Sequence, residues 1–137
     1  MWWLYALLSA VFAALTAIFA KVGIKGVDTD LATAIRTVVI LFIAWGIAFA
    51  RGGTQTMHTL SERNLVFLTL SGIATGLSWI FYFKALELGK VSQVAVVDKL
   101  SVALVIIFAV LFLGEVMTPK ILIGASLIIA GTFVLVL

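Results

Sequence analysis

The chain has 137 residues, of which 64% are apolar and 11% are charged. A soluble domain is about 45–50% apolar and about 25% charged, and a domain of this size has too little interior to hide the excess. The composition predicts an all-α integral membrane protein with room for five spanning helices and no soluble catalytic domain. The net charge of +3 is scattered along the chain, which excludes nucleic acid as a partner.

The first apolar run predicts a spanning helix over residues 2–21. Its uncharged part, from Trp2 to Ala20, has 19 residues. At helical rise this is about 28 Å, close to a hydrocarbon core of about 30 Å. A polar connection follows, in which Asp30 is the expected N-cap of a second span over residues 31–50.

Three further apolar runs predict spanning helices over residues 65–87, 91–113 and 119–137. The connection over residues 51–64 is the longest loop. The fourth span reaches its full length only if Asp98 and Lys99 lie inside it. Thr118 and Pro119 predict the start of the fifth helix, as an N-cap followed by proline at the first helical position. All five runs are apolar on every face, which favours helices over the alternating strands of a membrane barrel.

No predicted span contains an internal proline, so we expect any bending inside the membrane to come from glycine. The interior candidates are Gly46, Gly72 and Gly76. The last two also form a G-x-x-x-G pair, a pattern that lets two helices approach closely. Helix packing within the chain and a seam between two copies are both compatible with this pair.

Asp98 and Lys99 are charged residues at membrane depth. Each such charge costs about 2.5–3.5 kcal/mol on insertion scales, so it usually faces a partner or a wet cavity. Adjacent helical residues diverge by about 100°, so we expect Asp98 and Lys99 to have separate environments. They indicate a substrate or proton pathway, with Gln93 and Ser101 lining the same helix. A structural ion pair to another helix, or to an opposed copy, is the alternative.

A second candidate pathway surface lies near the end of the third span. Trp79 and Tyr82 are three residues apart and share a helix face, and Thr75 and Ser78 lie close to that face. Such a surface can stack against a small solute or form hydrogen bonds with it. Lys84 closes the same span. An aromatic belt at the membrane interface, with Lys84 reaching the headgroups, explains the same residues.

Arg36 lies about 9 Å into the second predicted span. Its long side chain can hold an anionic group on the transport pathway or reach back to the headgroups. The single histidine, His58, falls in a loop and is expected to be solvated. The sequence has no glycine-rich phosphate loop, histidine cluster or nucleophile arrangement. We therefore expect no enzyme, no metal site and no cofactor.

The lysines and arginines are nearly balanced between the two sides of the predicted topology. Three lie on the side of the N-terminus and four on the other, once the deep Arg36 and Lys99 are set aside. So weak a bias is compatible with insertion in both orientations. Two opposed copies would then form an inverted-repeat assembly of the kind found in secondary transporters. A single orientation fixed by a partner or by the loop over residues 51–64 is the alternative.

Four motifs in the second half are Y-F-K-A-L, G-K-V-S, L-F-L-G-E and I-G-A-S-L-I-I-A-G, which begin at residues 82, 89, 111 and 123. They closely resemble the EamA domain of the drug/metabolite transporter superfamily. The first half is similar to it as well, through a small-residue first helix, the Ala20–Lys21 pair and an arginine near the start of the second helix.

The resemblance implies that the chain is a single EamA-like domain of five helices. Most members of that family carry two such domains, inverted, in one polypeptide. It also implies a multi-pass protein of the cell (plasma or inner) membrane that moves small metabolites or drugs by alternating access, acting as an antiparallel homodimer. Its partners would be membrane lipid, a small-molecule substrate and a second copy. The alternatives are one half of a heteromeric transporter and a lipid-handling or non-transporting membrane subunit.

This chain departs from its relatives at two places. Family members often have a proline near Ser101, where this chain has none, so the usual helix break is not expected from its sequence. The related four-helix multidrug exporters carry a glutamate in their first helix, and this chain has no acid there. Asp98 is therefore the remaining candidate for a proton carrier.

Overall fold

The computed structural model describes all of residues 1–137 and contains helices without any strand. The α-helices are α1 (Trp2–Gly23), α2 (Thr29–Ala50), α3 (Glu62–Leu88), α4 (Val91–Asp98), α5 (Leu100–Leu113) and α6 (Pro119–Val136). A 3-10 helix, Gly53–Thr59, occupies most of the loop between α2 and α3. Five segments are long and apolar enough to cross a membrane: α1, α2, α3, the α4–α5 pair and α6. The predicted class, an all-α membrane bundle, is confirmed.

Three helix starts have a side-chain cap, and that of α3 is Ser61, whose hydroxyl accepts from the Asn64 N–H at 3.2 Å. The cap of α2 is Asp28, whose Oδ1 accepts hydrogen bonds from the N–H groups of Asp30 and Leu31, both at 3.0 Å. The expectation of Asp30 as the cap is wrong because the helix already begins at Thr29, which places Asp30 in its first turn. The cap of α6 is Thr118, as expected from the sequence: its hydroxyl accepts from a backbone N–H at 3.3 Å.

The fourth span is interrupted at Lys99, between α4 and α5. The Lys99 N–H donates to the Val96 carbonyl at 3.1 Å, and the Lys99 carbonyl accepts from the Val102 N–H at 3.0 Å. These are bonds between residues three apart, so the helix tightens locally into a 3-10 turn. The expectation that bending would come from glycine is wrong here, since the interruption lies at a charged residue. By contrast, α2 and α3 run without interruption through their interior glycines.

The chain divides into two compact units. The α2–α3 unit comprises residues 19–87, and the α4–α6 unit comprises residues 1–18 and 88–137. In the α2–α3 unit, the buried side chains lie where α1 ends, α2 begins and α3 ends: they are Ala20, Ile24, Thr29, Thr33, Phe83 and Leu86. In the α4–α6 unit, α4 and α5 pack against α6, and the buried side chains are Ala17, Ala103 and Thr132.

Most apolar side chains of the spanning helices are exposed. The accessible surface of the chain is 10,799 Å², whereas a soluble monomer of the same mass exposes about 6,900 Å². At most 11% of the most apolar window of any spanning helix is buried. The helices therefore present their apolar faces to lipid or to another protein chain.

Candidate functional site

Arg36 is held against two aromatic rings of α3. It is the eighth residue of α2, about 10 Å along the helix axis from its start. Its Cζ atom lies 4.4 Å from the centroid of the Phe83 ring and 5.7 Å from that of Trp79. Both distances are within the range of a cation–π interaction. Phe83 is only 1% exposed, so the contact is anchored on a buried ring.

Phe83 is the residue of this cluster that the sequence analysis missed. It is four residues beyond Trp79, so the two rings lie on one face of α3, and this spacing was a usable signal. Tyr82 joins the cluster through an edge-to-face contact with Phe83, at 6.2 Å between ring centroids. The structure therefore brings together Arg36, Trp79 and Tyr82 from the predicted pathway residues. The side chain of Arg36 lies against α3, and its two expected roles, holding an anionic group and reaching the headgroups, stay predictions.

The other polar residues predicted on α3 make local contacts only. Thr75 is exposed, and its hydroxyl donates to the Ser71 carbonyl at 2.8 Å within the same helix. Ser78 is also exposed. Lys84 forms an ion pair with Glu87, one turn later, at 2.7 Å. None of these three residues makes the contacts that join Arg36 to the aromatic cluster.

Lys21 joins the end of α1 to the end of α3. Its Nζ donates a hydrogen bond to the main-chain carbonyl of Leu86. Carbonyls in the last turn of a helix have no partner within the helix, so the lysine satisfies a group that would otherwise be unpaired. The sequence placed Lys21 at the end of the first predicted span, and nothing local indicates its contact with a residue so distant in the chain.

A cleft of about 390 Å³ opens beside Lys21 in the α2–α3 unit. Four of its lining residues are charged, two basic and two acidic: Lys21, Lys25, Asp28 and Glu87. The remaining lining comes from the α1–α2 connection and the last turn of α1. The cleft therefore offers both signs of charge at the end of the unit where its buried side chains also lie.

Asp98 and Lys99 contact each other, in contrast to the expectation of separate environments. The Lys99 Nζ lies 3.6 Å from Asp98 Oδ2. The expectation assumed a regular α-helix, whereas the chain tightens into a 3-10 turn at Lys99. The Asp98 side chain is 39% exposed and that of Lys99 58%. Gln93 is half-buried and Ser101 exposed, and neither forms a hydrogen bond with the pair.

Gly72 and Gly76 face open space. No neighbouring atom lies within 4 Å of the position that a Cβ would take at either residue. Within the α2–α3 unit, no other helix packs against the G-x-x-x-G pair. A second cleft, also of about 390 Å³, lies between α5 and α6 and is lined by apolar side chains and Glu115. No group of three or more histidine, aspartate or glutamate residues in the chain is placed to hold a metal ion.

Residues 1–137 match the EamA-like transporter family. The chain belongs to that family. It is 51% identical over 134 residues to a protein of Sinorhizobium sp. named as an uncharacterized transporter in the cobO 3′ region. The match covers 98% of this chain and 95% of the relative. No solved structure is significantly similar to the chain. The family resemblance stated from the sequence is confirmed, and it points to a multi-pass membrane transporter in preference to an enzyme.

Proposed function

We propose that this protein carries a small metabolite or drug across the cell (plasma or inner) membrane by alternating access. The observation that carries the proposal is the family match over residues 1–137, together with five segments that are long and apolar enough to span a membrane. Charged side chains at membrane depth, above all Arg36 and Asp98, are costly and are kept where a solute or proton must pass.

The proposed pathway combines residues of both units, without a contact between the units being implied. It is lined by Arg36, Thr75, Ser78, Trp79, Tyr82, Lys84, Gln93, Asp98, Lys99 and Ser101. Within it, Asp98 is the proposed proton carrier, since it is the acidic residue inside the fourth span. The partial exposure of Asp98 and Lys99 in the single chain supports this assignment, because such charges require water or a second protein surface around them.

The proposed active form is an antiparallel homodimer, formed by copies inserted in opposite orientations. Three observations support it: the near balance of basic residues between the two sides, the unusually large exposed surface, and the open faces of Gly72 and Gly76. The Sinorhizobium relative is matched over nearly its whole length, so it too has the length of one domain. Two opposed copies would supply the inverted repeat that larger secondary transporters contain in one chain.

A topology experiment tests the homodimer directly. The chain has no cysteine, so an introduced one is the single thiol of the protein. Met57 is 52% exposed and follows α2, whereas Val27 is 37% exposed and precedes it. Met57→Cys and Val27→Cys therefore place a label at opposite ends of α2 without changing any charge. Intact cells are treated with a membrane-impermeant maleimide, and again after permeabilisation.

Dual topology predicts that about half of the copies of each variant react from outside. If all copies of one variant and none of the other react, insertion has a single orientation and the homodimer proposal is wrong. One half of a heteromer then becomes the better description, and the protein expressed alone should be inactive.

Reconstitution tests the transport function itself. Proteoliposomes are assayed in parallel for flux of labelled water-soluble metabolites and for movement of labelled lipid between leaflets. Solute flux above that of empty vesicles supports the transporter. Lipid movement without solute flux contradicts it and favours the lipid-handling alternative, which the large exposed apolar surface also allows.

A further inference from the structure

Arg36 differs from Lys21, Lys84 and Lys99 in having no acceptor. Lys21 donates to the Leu86 carbonyl, Lys84 pairs with Glu87, and Lys99 lies beside an aspartate. The guanidinium of Arg36 has aromatic rings beside it, yet none of its N–H groups makes a hydrogen bond or ion pair within the chain. A guanidinium carries five such donors in a rigid fork. They are unused in the single chain.

The geometry of the cluster leaves the donors available. Phe83 lies 4.4 Å from Arg36 Cζ, and a phenyl ring has no nitrogen or oxygen atom that could accept a hydrogen bond from the guanidinium. Trp79, at 5.7 Å, adds a second ring. The cation is thereby fixed in position by groups that cannot accept its hydrogen bonds. Such a fixed fork matches the two oxygens of a carboxylate or phosphate.

The surroundings of Arg36 contain no competing carboxylate. The two ion pairs of the chain, Lys84–Glu87 and Lys99–Asp98, do not involve Arg36. The acidic residues of the cleft in this unit, Asp28 and Glu87, lie beside Lys21 and Lys25. An unpaired cation at membrane depth is costly, so an anion that completes its hydrogen bonds would bind favourably.

We propose that Arg36, cradled by Phe83 and Trp79, binds an oxyanion: the carboxylate or phosphate of the transported solute, or the phosphate of a lipid headgroup. With a solute as the source, the inference rests on the proposed transport function and makes the substrate an organic anion. With a lipid as the source, the same three residues anchor a phospholipid against α2 and α3.

The fluorescence of Trp79 provides the test. Replacing Trp2, Trp3 and Trp45 by phenylalanine leaves Trp79 as the single tryptophan. The purified protein in a maltoside detergent, which contains no phosphate, is titrated with benzoate and with benzylamine, which share a ring and differ in charge. In separate titrations it receives phosphatidylglycerol, with diacylglycerol as the control that lacks a headgroup phosphate.

The expected result is a saturable change in Trp79 fluorescence with benzoate or phosphatidylglycerol and none with benzylamine or diacylglycerol. A response to benzoate alone identifies a solute anion, and a response to phosphatidylglycerol that blocks benzoate identifies a headgroup. Arg36→Ala should weaken the response about 10-fold or more, since a bidentate charged contact is lost. Arg36→Lys keeps the charge without the fork and should give an intermediate affinity.

Arg63→Ala is the matched control. Arg63 also stacks on a ring, with its Cζ 5.8 Å from the Phe67 centroid, but it is exposed in the first turn of α3. Its removal should leave the response unchanged. Equal responses to benzoate and benzylamine, or an undiminished response in both folded Arg36 variants, overturn the proposal. Solute flux that persists in those variants, together with an unchanged fluorescence response to both anions, would show that the oxyanion site is wrong while the transporter stands.

Discussion

In the α2–α3 unit the helix ends are joined by long side chains that cross from one helix to another. Arg36 reaches the rings of α3, and Lys21 reaches the carbonyl of Leu86. In the α4–α6 unit α4 and α5 pack directly on α6, with the small side chains of Ala103 and Thr132 buried. Contacts made by charged side chains are directional, so they determine how the joined helices are placed. Packing of small residues lets helices approach closely but does not require a particular polar partner.

The charged residues of the two units also differ in the partners that surround them. Arg36 is half-buried and lacks an acceptor, as the proposed oxyanion site requires. Asp98 has its neighbour Lys99 as a partner, and both are partly exposed at a break in the helix. The charge proposed to bind a solute, on Arg36, and the charge proposed to gain and lose a proton, on Asp98, need different surroundings. The following variants test whether the two residues have these different roles.

The largest expected effect belongs to Asp98→Asn. This substitution preserves shape but removes the acid, so it should abolish solute flux or remove its pH dependence while insertion stays intact. Flux in proteoliposomes across a range of pH values measures it. Glu115→Gln is the matched control, since Glu115 lies outside the helices, between α5 and α6. Unchanged pH-dependent flux in Asp98→Asn would remove this residue from the mechanism.

Phe83→Ala should be the most destabilising change in the α2–α3 unit. It deletes a ring that is 1% exposed and that supports Arg36. Truncating a buried phenylalanine costs about 3–5 kcal/mol. Unfolding in detergent, followed by circular dichroism, measures the difference. Phe81, on the same helix, is 72% exposed, and Phe81→Ala should change little. Equal losses in the two variants would show that the buried cluster does not hold the unit together.

Lys21→Met should have a smaller effect on the same unit. The methionine keeps the apolar stem but loses the charged hydrogen bond to the Leu86 carbonyl, which is worth about 1.5–3 kcal/mol. The free energy of unfolding again provides the measurement, with Lys25→Met as the control because Lys25 is exposed. A loss confined to Lys21→Met would establish the bond between α1 and α3.

Thr118→Ala tests the α4–α6 unit. It removes the hydroxyl that caps α6 and should cost about 1 kcal/mol. Thr118→Ser retains the hydroxyl and should restore most of the stability. If serine is no better than alanine, the loss comes from the methyl group and not from the cap.

The smallest effect is expected for Lys84→Ala. The ion pair with Glu87 joins two exposed side chains of one helix, where screening by water leaves little net attraction. No measurable shift of the unfolding midpoint is expected. A clear destabilisation would mean that Lys84 has a further contact in the membrane-embedded protein.

The sequence predicted the features that depend on nearby residues. Long apolar runs indicate spanning helices because each must satisfy its own backbone in lipid. Thr118 followed by Pro119 predicts a helix start because the cap bonds a residue only three positions away. The choice between Asp28 and Asp30 failed because both are capping residues, and only the first helical residue decides between them.

The features that the sequence did not reveal depend on residues distant in the chain, or on a local backbone conformation that no residue type indicates. The contact of Arg36 with Phe83 joins α2 to α3 across the longest loop, and no periodicity encodes it. The interruption at Lys99 has neither proline nor glycine. The Asp98–Lys99 contact was missed for the same reason, because it follows from that interruption.

Because so much of the chain's surface is exposed, we expect transport activity to depend on the number of protein copies per area of membrane. In the proposed homodimer, the pathway formed by partly exposed charged residues is closed by a second copy, and the formation of that pair obeys mass action. In vesicles with few protein copies, flux should therefore rise with the square of the protein-to-lipid ratio. It should become proportional to that ratio only when most chains are paired.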